Sequence, residues 1–161
     1  FYSIKTISKM ANSIYNLMRF LEAQNKMYLT AFSEIEKGKK ETHWMWFIFP
    51  QIKGLGSSDT ANYYAIANLK EAEEFLQHPI LGKHLMEITT LLLQLKHKSA
   101  EATFGDLDAL KLRSSMTLFS LIKNTNPVFQ EVLDVYFFGK LDTQTLSIIS
   151  SVVEKPIDST T

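Results

Sequence analysis

Residues 42–58 read THWMWFIFPQIKGLGSS, and the conformation of their aromatic half decides the fold class. An unbroken apolar run carries no periodicity, so 43–49 is compatible with a buried strand or with two turns of helix. Local chemistry favours the helix. Ile48 is the only β-branched residue of the run, Thr42 is a fair N-cap, and Pro50 stops whatever precedes it. No other segment reads as a partner strand. The run is therefore assigned to a short buried helix, and the chain to the all-α class.

The flanking sequence carries clearer helical signals. Upstream, Ile14, Leu17, Leu21, Met27, Ala31 and Ile35 recur near helical spacing over 14–37, and Gly38 suits a C-terminal cap. Glu34, Glu36, Lys37, Lys39 and Lys40 surround that exit. Downstream, Ser58 or Asp59 opens a helix through Tyr63, Tyr64 and Ile66, and Asn68 restarts it into LKEAEEFLQ. His78 reads as a cap before Pro79, while His84 and His97 fall on charged faces and are expected in solvent. Leu81, Leu85, Ile88, Leu92 and Leu95 then form a single stripe. Ser99–Phe104 is a short turn of helix ended by Gly105.

Asp106 or Asp108 starts a helix reaching Lys123. Leu107, Leu110, Leu118 and Leu121 share one face, and Leu112, Met116 and Phe119 line another. A helix apolar nearly all round is expected at the centre of the fold. Asn126-Pro127 starts a further helix to Phe138, and Asp142 caps a last one through Ile149. The expected architecture is a compact, single-domain bundle of about seven helices over residues 10–153. Residues 1–9 are expected to be an extension and 154–161 a frayed tail.

Composition narrows the function. Lys plus Arg and Asp plus Glu number 17 each, so no global field draws nucleic acid or an acidic membrane to this 161-residue chain. There is no Cys, which removes disulfides and thiolate metal sites. No apolar run approaches the roughly 20 residues of a membrane span, and FYSIKTISK lacks the apolar core of a signal peptide, so a cytoplasmic location is expected. Neither HExxH nor a pair of His at i, i+4 occurs; no metal and no cofactor are expected.

RFLEAQ at 19–24, HWMWFIFPQ at 43–51, GLG at 54–56, YAI at 64–66, HPILG at 78–82 and FGDLDALKLRSSMTLF at 104–119 carry a resemblance. Over residues 15–147 the chain resembles the helical family catalogued as domain of unknown function 1810, often labelled calpastatin. The resemblance implies a compact multihelical protein and brings no mechanism with it. Calpain inhibition does not follow, because inhibitors of that kind are disordered.

Candidate site residues cluster around the aromatic motif. Trp44 and Trp46 are suited to stacking a flat ligand, with His43 as proton shuttle. Lys53, Gly54, Gly56, Ser57 and Ser58 precede a helix and offer backbone N–H groups to a phosphate, although the loop matches neither dinucleotide-binding nor P-loop spacing. Lys111, Ser114 and Ser115 crowd one helical stripe with Arg113 nearby, an arrangement for activating a hydroxyl or holding an anion. Gln51, Tyr63 and Tyr64 are placed to orient a ligand at the same mouth.

These assignments make His43, Lys111 and Ser114 the catalytic candidates. The others form the wall for a small anionic or nucleotide-like molecule. The expected activity is metal-independent hydrolysis, with a glycosyl-type bond first in line. The bland alternative is a non-catalytic interaction module in which the aromatics are core, the serines cap or back-bond, and Lys111 reaches solvent. Under either reading, Trp46 is expected to be buried deeply enough that its truncation unfolds the domain.

Overall fold

The apolar spacing that follows Leu17 becomes α1, Met18–Glu36, in the computed structural model, which describes residues 13–95 and 99–153. Its inward stripe is Phe20, Gln24, Tyr28, Ala31 and Ile35. The helix ends where Gly38 takes φ 78, a conformation that costs a glycine nothing. The aromatic run is helical at Met45–Ile48 (α2), and Ser58 opens α3, Asp59–Tyr63. There follow α4, Leu69–Gln77; α5, Leu81–Gln94; α6, Ala100–Phe104; α7, Asp106–Ser120; α8, Val128–Phe137; and α9, Thr143–Val153.

Among the described residues these nine helices are the regular structure, apart from one parallel bridge between Ile52 and Ile66. The chain is all-α. Three of the nine (α2, α3 and α6) are turns of four or five residues, which is why the number exceeds the seven expected. Residues 1–9, 154–161 and His97 lie outside the described residues.

The helix starts follow the side-chain chemistry. Ser58 Oγ accepts from Ala61 N–H, Asn68 Oδ1 from Glu71 N–H, Ser99 Oγ from Ala102 N–H and Asp142 Oδ2 from Thr145 N–H. His78 does the same for α5, its Nδ1 accepting from Ile80 and Leu81 N–H at 3.1 and 3.2 Å. Thr42 does not cap α2: its N–H and hydroxyl both turn back to Glu34 on α1.

α7 lies at the centre, packed on α4, α6, α8 and α9. It buries Ala109, Leu112 and every residue from Ser114 to Phe119. Its first turns depart from the expectation, because Leu107 and Leu110 are 76% and 55% exposed. They face solvent, while Ala109 and Leu112 in the same turns face the core. A file of rings binds the layers: Phe20 meets Phe75 at 5.0 Å, Phe75 meets Phe119 at 5.6 Å, and Phe119 meets Phe129 at 5.6 Å, joining α1, α4, α7 and α8.

The α4–α5 corner depends on Gly82. A Cβ there would lie 2.0 Å from the Leu76 carbonyl oxygen, inside any permitted contact, so the two backbones touch only because residue 82 has no side chain. Gly82→Ala is expected to lower stability by about 2 kcal/mol or more through forced separation of the helices. Urea midpoints of the two proteins check this, and an unchanged midpoint would refute the close approach.

Candidate functional site

Glu34, one of the charged residues at the exit of α1, is buried. Its carboxylate accepts from Glu41 N–H at 2.6 Å, Thr42 N–H at 2.8 Å, Thr42 Oγ1 at 2.6 Å and Trp44 Nε1 at 3.1 Å. Burial pushes its pKa up, but the hydrogen bonds from Thr42, Glu41 and Trp44 outweigh burial and hold it at about 2. The indole so anchored is completely buried, against Phe104 at 6.2 Å and Phe49 at 6.4 Å. Trp44 is thus core, and no ligand reaches its face. Lys40 covers the outside of this knot: its Nζ lies 5.0 Å from the Trp44 ring centroid, 2.8 Å from Asp108 Oδ2, and donates to the Thr42 carbonyl.

Trp46, expected to be buried, is half-exposed on the other side of α2. It lines a cleft with Gln51, Gly54, Gly56 and Tyr64, so these sequence-predicted residues do converge. The space between them is about 10 Å³, room for a single water and no more. The loop is packed shut: a Cβ on Gly56 would lie 2.6 Å from Ala61 Cβ, and one on Gly54 3.4 Å from Ile148 Cδ1. Lys53 N–H donates to Ile66 O and Ile66 N–H to Gln51 O, pinning both ends of the loop, while the Lys53 side chain is exposed. Ser57 and Ser58 serve α3, the first through its carbonyl to Asn62 Nδ2 and the second as N-cap.

The α7 candidates also have local partners. Lys111 Nζ sits 5.2 Å from the Trp46 ring centroid and 3.3 Å from Asp108 Oδ1. Ser114 is buried, and its hydroxyl donates to the Leu110 carbonyl one turn back, as hydroxyls on helices commonly do. Arg113 pairs with Asp142 at 3.7 Å. Ser115 Oγ is buried without a hydrogen-bond partner among the described residues. Neither Lys111 nor Ser114 lines the cavity to which His43 belongs.

That cavity, about 310 Å³, lies between α1 and the Tyr63–Tyr64 turn. His43 and Tyr63 are exposed on it, Phe47 and Tyr64 form its aromatic floor, and Glu22 and Lys26 stand on its α1 side. Arg19 builds its wall. The guanidinium donates to the carbonyls of Asn16, Tyr63 and Ala65 and pairs with buried Glu71 at 2.9 Å. Its donors are therefore committed to holding the turn. Sequence reading missed Glu22 and Lys26, because they share the outer side of α1 with ordinary solvated residues; Tyr63 it named only as an orienting residue beside Tyr64.

Comparison with known proteins agrees with the fold. Residues 14–149 match the model of the family described as protein of unknown function (DUF1810). The chain belongs to this family. It is similar to the conserved hypothetical protein Rv1873 from Mycobacterium tuberculosis, whose crystal structure superposes with a TM-score of 0.84 at 43% identity, covering 86% of this chain and 99% of that one. No curated protein matches it. Among the described residues, no helix is long and apolar enough to cross a membrane.

Two predictions follow from the knot around Glu34. Trp44→Ala is expected to cost about 3–5 kcal/mol, and half-exposed Trp46→Ala distinctly less, measured by denaturant midpoints; equal losses would refute the division of roles. Glu34→Gln is expected to cost about 3 kcal/mol at neutral pH, since the amide places N–H groups against donors. The folded pKa of about 2 lies below the ordinary 4.5, so the carboxylate's contribution is complete above 4.5 and disappears as pH falls towards 2. The stability gap between wild type and variant should close over that same interval, and a gap independent of pH would rule out the carboxylate as its source.

Proposed function

We propose that this DUF1810 protein binds a small nucleotide-like molecule in the His43 cavity, between α1 and the Tyr63–Tyr64 turn. The observation that carries the reading is the composition of that cavity. It offers aromatic surface from Phe47, Tyr63 and Tyr64 for a flat ring, with Lys26 and His43 at the rim for an anionic group. Its volume of about 310 Å³ suits a molecule of modest size. His43 and Glu22 are the groups on this cavity suited to proton transfer, and acid–base catalysis of that kind would serve metal-independent hydrolysis of a glycosyl-type bond. Lys111 and Ser114 have no part in this reading, being engaged by Asp108 and the Leu110 carbonyl.

A second reading, a non-catalytic helical interaction module, is favoured by the complete burial of Trp44 and the closed cleft beside Trp46. AMP titrated into isotope-labelled protein separates the two. The first reading expects saturable shifts confined to His43, Phe47, Tyr63 and Tyr64. His43→Ala and Lys26→Ala should each weaken binding about tenfold, or ~1.4 kcal/mol, while leaving the denaturation midpoint in place. Spectra unchanged by AMP, or variants that bind like wild type, would favour the module.

A further inference from the structure

On the other side of Glu22 lies a separate cavity of about 330 Å³, lined by Met18, Leu21, Glu22, Asn25, Ile80 and His84. Sequence reading left His84 in solvent, but the fold holds it firmly. Its ring is stacked on Tyr28, with centroids 3.7 Å apart and planes 9° from parallel. Its Nδ1 lies 2.8 Å from Gln24 Oε1. The tautomer follows by elimination. The Phe47 carbonyl only accepts, so the Gln24 amide nitrogen must face it, as it does at 2.8 Å. Gln24 therefore turns its oxygen to His84. An amide oxygen also only accepts, so Nδ1 carries the proton. Burial lowers the imidazole pKa and Lys83 adds to this, against an opposing pull from Glu87. In the neutral ring, Nε2 holds a lone pair. With one face under Tyr28 and Nδ1 engaged, the other face and the edge bearing Nε2 are what remains for the cavity that His84 lines. Met18 and Ile80 beside it are 57% and 44% exposed, so apolar surface stands uncovered around an oriented acceptor.

We infer that this cavity is a second binding site, for a small apolar molecule that donates one N–H or O–H hydrogen bond to His84 Nε2 while its body covers Met18, Leu21 and Ile80. An acceptor set among apolar side chains discriminates strongly between a ligand with a matching donor and an isostere without one. The site does not depend on the reading of the His43 cavity, since only Glu22 touches both.

Indole and 1-methylindole, nearly equal in shape and differing in the N–H, serve as probes. Long-range proton–nitrogen spectra of the free protein should first show His84 protonated on Nδ1. Indole should then shift the methyl signals of Met18, Leu21 and Ile80 and the His84 Nε2 resonance saturably, with 1-methylindole at least tenfold weaker. Ile80→Glu places a charge on the apolar wall without touching the Gln24–His84–Tyr28 contacts, and should abolish binding while preserving the tautomer. His84→Phe keeps an aromatic ring and should level the two probes. The Nε2–H tautomer, equal affinity of the two probes for the wild type, or no shift of these methyls by indole would each overturn the assignment.

Discussion

The carboxylate of Glu34 gathers the backbone N–H groups of Glu41 and Thr42, the Thr42 hydroxyl and the Trp44 indole N–H around one buried charge. A buried carboxylate without such partners would be prohibitively costly; with them it becomes a fixed point about which the chain turns. The segment leaving α1 is folded back, Trp44 is aimed into the core, and Phe49 and Phe104 close over it. Lys40, in the same turn, reaches Asp108 on α7, so the central helix is registered against the same knot. The aromatic motif has its shape because its polar groups are satisfied by a residue ten positions upstream.

The inward side of α1 repeats this device. Arg19 spends its guanidinium on loop carbonyls and Glu71, which holds the Tyr63–Tyr64 turn beside α1 and shapes the His43 cavity. Gln24 joins the Phe47 carbonyl to His84, linking the floor of that cavity to the imidazole of the next. Tyr28 continues the line, stacking on His84 and donating to Glu87. Burial, the Glu87 hydrogen bond and its charge all push the phenol pKa up, so the hydroxyl remains a donor. The two cavities that share Glu22 lie along the polar line of α1, while the ring file from Phe20 to Phe129 crosses the apolar core.

Helix positions were largely legible in the amino-acid sequence, because they depend on neighbours in the chain. The stripe from Leu81 to Leu92, the caps at Ser58, Asn68, Ser99 and Asp142, and Gly38 and Gly105 with φ 78 and 81 are local chemistry. Helix assignment of the aromatic run also followed from local terms, once no partner strand could be found. What a local pattern cannot rank is depth. Trp44 and Trp46 are two residues apart in a run with no polar side chain, so periodicity gave no means of deciding which faced the core.

Only the tertiary structure decided which polar residues are buried and where the surface is hollow. Glu34, Arg19, Gln24 and His84 resemble solvated residues on helix faces; the first three are buried and His84 half-buried, each held by a partner between 10 and 60 positions away. Leu107 and Leu110 look like core and are exposed, while Ala109 and Leu112 in the same turns of α7 are buried. The candidate cluster Trp46, Gln51, Gly54, Gly56 and Tyr64 was legible as a neighbourhood, but the Ala61 methyl against Gly56 closes it. Sequence by itself determined the helices and most of their starts, since those energies are settled within a turn or two of chain; the ends expected at Lys123 and Ile149 fall instead at Ser120 and Val153. Burial and cavity volume are sums over side chains from distant segments, and they acquire values only when the helices pack.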